Sequence, residues 1–158
     1  MVAEYRRLYP RYSPTEVYFA ATTASRSWRA AIVEAELRAD QGAPAFAYQL
    51  DWASPKDGGK WGAPHTLDIP LVFGTLDAPD SITGTDARAR AMSDAMMDRF
   101  IAFARTGDPN PPGVVRWTPY EKPARNTLIF DDAVRLQSDP RGAERRLFEK
   151  VPFIQQGT

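Results

Sequence analysis

The 158-residue sequence has no cysteine and a single histidine, His65. Without thiols there is no disulfide framework, no thiolate nucleophile and no zinc–thiolate site. One histidine among scattered carboxylates, with Asp68 its only near neighbour, is a poor ligand set for a metal. Charge of one sign is not in excess: 20 basic and 20 acidic residues cancel, which argues against nucleic acid or an anionic membrane as partner. No apolar run approaches the roughly 20 residues needed to span a bilayer. The opening stretch MVAEYRRLYPRYSP lacks the apolar segment of a signal peptide. Neither a G-x-G-x-x-G pattern nor a P-loop occurs, and there are no internal repeats or low-complexity tracts. We therefore expect a soluble, cytoplasmic chain with no cofactor and no metal.

Fourteen prolines and ten glycines punctuate periodic segments. The length suits one domain with a real core. Residues 13–23 predict a helix: Ser13 at the cap, Pro14 in the first turn and Glu16 at capping-box spacing. A second helix is expected from about Ser25 to Gln41, with Trp28, Ala31, Ile32, Ala35 and Ala39 as its apolar stripe. Glu34 and Arg38 stand at pairing distance on its wetter side, and Gly42 with Pro44 stops it. AFAYQLDW (45–52) predicts a strand with Phe46, Tyr48, Leu50 and Trp52 on one face. It reads as the central strand of a sheet larger than this chain supplies. A loop then runs from Ala53 to about Pro70 and carries His65, followed by a short apolar patch, Leu71–Phe73, and Gly74. Beyond a turn-rich stretch, a long helix is expected over about Asp86–Thr106, striped by Ala89, Met92, Met96, Phe100 and Phe103, its methionines read as core filler. A proline-rich connection, two short strands around Asp131–Asp132 and a last charged helix near 142–150 complete the reading, an α/β grammar.

The segment GAPHTLDIPLVFG, Gly62 to Gly74, holds a histidine, an acidic residue three positions on, an Ile-Pro and a Val-Phe-Gly in unbroken order. It resembles a signature of the type-B carboxylesterases, the group that includes para-nitrobenzyl esterases and cholinesterases. The strand before the loop, the helix ending FARTGDPN, and the later WTPY and LIFD resemble the flanking segments of that family. The resemblance covers nearly the whole chain. It implies the C-terminal portion of an α/β-hydrolase fold, an incomplete sheet with flanking helices over residues 1–158, and cleavage of small carboxylic esters through a Ser-His-Glu/Asp triad. By the same resemblance His65 is the general base. Independently, a loop leaving the carboxyl end of a strand is where α/β sheets gather ligands, and a neutral imidazole suits proton abstraction near neutral pH.

Asp68 is not taken as the triad acid, because it lies only three residues from His65 and the resemblance puts the acid well upstream. The G-x-S-x-G elbow that presents a serine nucleophile is missing, and none of Ser13, Ser25, Ser27, Ser54, Ser81, Ser93 or Ser138 has that context. The family order, serine then acid then histidine, implies that nucleophile, acid and oxyanion hole lie on upstream sequence, so the isolated chain is expected to be inactive. An open strand edge is also a site for pairing with a second copy or with an upstream polypeptide. The alternative reading is a truncated, non-catalytic esterase-like module that acts in protein association.

Overall fold

Ser13 caps the first long helix as its spacing predicts. In a computed structural model that describes residues 2–153, the Glu16 amide donates to Ser13 Oγ at 3.3 Å and the Ser13 amide to Glu16 Oε2 at 2.7 Å. Helix α2 is Pro14–Thr23, preceded by a short α1, Val2–Leu8. The break expected after Thr23 is not there. A single π turn, Ala24–Trp28, leads directly into α3, Arg29–Asp40. No glycine or proline stands in residues 24–28 to stop the helix, and the Thr22 hydroxyl bonds back to the Tyr18 carbonyl at 2.8 Å, a contact that bends helices without ending them. Gly42, at φ 67°, closes α3. The Ser13→Ala variant should lose about 1 kcal/mol of stability, readable as a lower urea midpoint at unchanged slope; an unaltered midpoint would mean that the cap contributes nothing.

The rest of the order is β1 (Ala47–Leu50), α4 (Asp68–Phe73), α5 (Ala87–Thr106), β2 (Asn126–Phe130), β3 (Arg135–Ser138) and α6 (Gly142–Phe148). The described residues hold one sheet, order β1-β2-β3. β1 runs parallel to β2 with Ala47 opposite Thr127 and Leu50 opposite Phe130, and β3 returns antiparallel. β1 is shorter than its 45–52 pattern because the ladder breaks at Phe130, whose carbonyl accepts from both the Asp51 and Trp52 amides, at 2.8 and 3.0 Å. Among the described residues β2 has neighbours on both sides, and β1 has a partner on one side only.

The described residues fold as two compact units: 2–45, 120–125 and 139–153 in one, Phe46–Pro119 and Asn126–Ser138 in the other. The first packs Tyr5, Val17, Ala24 and Phe148 together, with Trp28 and Leu147 at the margin. In this unit Ala35 of the α3 stripe is buried while Ala31 is exposed, and Glu36, rather than Glu34, makes the ion pair, to Arg125 at 3.0 Å. The second unit buries Trp52, Leu67, Leu71, Ala89, Met92, Met96, Leu128 and Phe130, with Phe46 and, from β1, Tyr48 and Leu50 against them. Met92 and Met96 of α5 are core residues, as their spacing indicates, whereas Phe103 of the same expected stripe is 49% exposed.

One expectation is corrected in this unit. The apolar patch Leu71–Phe73 is not a segment after a loop; it is the end of helix α4. Pro70 is compatible because it lies in the first turn, where its missing N–H has no intrahelical partner to lose. Gly74 terminates α4 at φ 65°, a conformation that calls for glycine, and a Cβ there would sit 2.8 Å from Met97 Sδ, so that flexible side chain would have to move. No helix among the described residues is long and apolar enough to cross a membrane.

Candidate active site

The His65 loop leaves the carboxyl end of β1 and is fixed before and after the histidine. Upstream, Ser54 is fully buried. Its hydroxyl donates to the Ile82 carbonyl and accepts from the Lys56 amide at 3.2 Å, while its own amide donates to the Gly62 carbonyl at 2.8 Å. Between these anchors Asp57 and Gly58 take left-handed dihedrals, φ 53° and 72°. Asp57 Oδ2 accepts from Trp61 Nε1 at 2.9 Å and faces Lys60 Nζ at 3.2 Å. These two donors hold the Asp57 carboxyl below its usual range. The indole itself stays 54% exposed, with the Lys60 ammonium 4.8 Å from the ring centre.

Downstream, the Leu67 amide donates to the Pro64 carbonyl at 3.2 Å, closing a turn with His65 and Thr66 at its centre. Leu67 is fully buried and plugs this turn into the core. Thr66, the third residue of this turn, adopts φ 70°, in the left-handed region. That conformation suits glycine and is strained for a β-branched side chain. Thr66→Gly should therefore raise stability by about 1 kcal/mol, the relieved strain exceeding the extra chain entropy. A thermal midpoint that falls instead would mean that the threonine side chain is worth more than its backbone costs.

His65 is exposed, and among the described residues it has no hydrogen bond or ion pair. Asp68, the first residue of α4, does not face the imidazole through any such bond. Its Oδ2 accepts from the Tyr48 hydroxyl at 2.8 Å. Burial, then the Asp68 hydrogen bond, raises the Tyr48 phenol well above its ordinary value, so it remains a donor. No described serine hydrogen-bonds His65. Ser93 is buried and donates to the Leu71 carbonyl at 2.7 Å, Ser81 pairs with Thr83, Ser25 bonds the Thr22 carbonyl, and Ser54 clamps the loop. No group of three or more metal-binding side chains forms among the described residues. Nothing in the sequence marks the hydroxyls of Tyr48, Ser54 and Ser93: Tyr48 stands in an alternating apolar pattern, and the two serines lie in no motif that signals a buried hydroxyl.

Similar proteins are known both in sequence and in structure. The sequence profile of the Carboxylesterase family matches residues 15–147. The para-nitrobenzyl esterase of Bacillus subtilis (strain 168) is 30% identical over 141 residues, 88% of this chain and 28% of that protein. Phenmedipham hydrolase of Pseudarthrobacter oxydans is 31% identical over 93 residues, 56% of this chain and 19% of that protein. Among solved structures, a Geobacillus stearothermophilus carboxylesterase superposes over 91% of this chain and 31% of its own, with a TM-score of 0.76 at 27% identity. A thermophilic PNB esterase gives 0.71 at 28% identity, over 92% of this chain and 30% of its own. The chain thus spans less than a third of the length of the relatives it matches, and its three-stranded sheet and helices are a part of an α/β-hydrolase fold. By its sequence and its fold, the chain belongs to the carboxylesterase family.

Proposed function

We propose that this chain is the histidine-bearing, C-terminal part of a serine carboxylic ester hydrolase, with His65 as general base. The observation that carries the reading is the state of His65: exposed, without a protein hydrogen bond, on a turn fixed on both sides within the loop that leaves the carboxyl end of a parallel strand. That is where α/β folds place ligand chemistry. His65 would take the proton of a serine hydroxyl as it attacks the ester carbonyl, then hand it to the departing alkoxide so that the alcohol leaves. In the second half it would take a proton from water, which attacks the acyl-serine, and return that proton to the serine as the acid is released. Serine, triad acid and oxyanion hole come from polypeptide outside this chain.

The test is hydrolysis of a short-chain chromogenic ester by the chain alone and by the chain joined to the family segment that carries G-x-S-x-G. The expected result is background hydrolysis by the chain alone and turnover by the joined protein. Turnover by the chain alone, or none by a folded joined protein across a panel of esters, overturns the reading. A second reading, a non-catalytic association module, draws on the unpaired side of β1; it requires a stable complex whose formation is indifferent to His65 and whose members hydrolyse nothing.

A further inference from the structure

The Tyr48 hydroxyl is held in one place. Its ring is met edge-on by three others, Phe100 at 5.7 Å and 82°, Phe130 at 5.8 Å and 80°, and Trp117 at 6.1 Å and 84°. Trp117 is fixed in turn, its indole N–H donating to the Ala47 carbonyl at 3.0 Å. Such edge-to-face contacts orient a ring as well as bury it. From that position the hydroxyl reaches Asp68 Oδ2 at 2.8 Å. Asp68 follows Leu67, whose amide closes the His65 turn. The hydrogen bond therefore ties the strand that leads into the loop to the first residue of the helix that leads out of it, with His65 three residues from the tie.

We infer that the Tyr48–Asp68 hydrogen bond is a positioning device for His65, setting where the imidazole sits relative to the nucleophile. This rests on the reading of His65 as general base. The turn needs such a tie because its own chemistry is unfavourable: Thr66 sits at φ 70°, and a strained turn persists only when its surroundings over-determine it. Leu67 anchors one end through burial, which is not directional. The charge-assisted bond to Asp68 supplies direction. A displacement of about 1 Å at a catalytic group costs up to about a hundredfold in rate, so a shift of the turn too small to unfold the protein is large for catalysis. Asp68 acts through His65 and touches no reacting atom.

The experiment uses the complete hydrolase, with this chain joined to the segment that carries the nucleophile, and reads kcat, KM and the number of sites titrated by a fluorophosphonate. Tyr48→Phe keeps all three ring contacts and removes only the hydroxyl. It should lower kcat about tenfold or more per titrated site, with KM and the titrated fraction unchanged. Asp68→Ala should do the same. Asp68→Asn, which keeps an acceptor oxygen for Tyr48, should recover most of the lost rate. Wild-type kcat in Tyr48→Phe and Asp68→Ala would overturn the inference. So would a fall in titrated sites at constant rate per site, because that is the mark of a purely structural bond. A His65→Gln control at wild-type rate would instead overturn the general-base reading on which the inference stands.

Discussion

With His65 as the proposed general base, replacing it by glutamine should lower ester turnover by the chain joined to its nucleophile-bearing segment about 10,000-fold, the upper range for loss of a positioned general base. Glutamine is close in size and still hydrogen-bonds, but its amide cannot accept a proton near neutral pH. In the proposed mechanism every step that needs proton transfer is affected: serine attack, alcohol departure and deacylation. The exposed position of His65 and its lack of a protein hydrogen bond mean that nothing in the fold depends on the ring. Stability should therefore change by no more than about 0.5 kcal/mol. The pairing of a collapsed kcat with an unchanged thermal midpoint is the diagnostic. Residual turnover above the uncatalysed rate is expected, since the oxyanion hole and substrate binding act without the base. A variant that keeps more than a tenth of the wild-type kcat would remove His65 from the chemistry and leave the loop a structural element.

The sequence made different parts of this molecule legible for different reasons. Helices α2 and α5 were readable because their information is local: Ser13 and Glu16 cap one, and the Ala89, Met92, Met96 stripe with Gly107 behind it defines the other. The strand at 47–50 was readable from its alternation, and its length was not, because the ladder ends where Phe130 accepts two amides, a fact of its partner. Helix α1 was not readable because what holds it is distant: Tyr5 is buried by residues far along the chain. Helix α4 was hidden by Pro70, whose tolerance in a first turn is visible only once the start of the helix is known. At the site, a contiguous motif marked His65. The Tyr48–Asp68 bond joins positions twenty apart, and neither the phenol nor the carboxylate signals the other in the chain.

The largest stability effect is expected at Glu144, in the other compact unit. This carboxylate is almost fully buried, and Arg141 reaches it with two donors, Nε at 2.7 Å and Nη2 at 2.5 Å. The Tyr5 and Tyr9 hydroxyls donate to its two oxygens at 2.6 and 2.5 Å. The Arg141 guanidinium also lies 4.5 Å from the centre of the Trp28 ring. Glu144 therefore joins α1 to α6, with Trp28 of the π turn stacked on its counter-ion. Glu144→Ala leaves a buried cation without its anion and two phenols without an acceptor, and should cost about 3–5 kcal/mol. Glu144→Gln, which still accepts from one phenol, should cost less. Guanidinium denaturation measures both.

The same network sets a pH dependence. Burial alone would raise the Glu144 carboxyl, but the Arg141 hydrogen bonds and charge, with Tyr5 and Tyr9, outweigh it and hold the carboxyl below its usual range. A depressed carboxyl contributes stability that is complete above the unfolded value, near 4.3, and is lost as pH falls through the folded one. Tyr5 and Tyr9 are shifted the other way, by burial first and then by Glu144. Their contribution is complete below about pH 10, the unfolded phenol value, and fades above it. Stability should thus be flat from mildly acid to mildly alkaline pH and decline on both sides. In Glu144→Ala the acid decline should shrink. An acid limb identical in the variant would place the responsible carboxylate elsewhere, with Asp139, held below its usual range by Arg145, as the next group to replace.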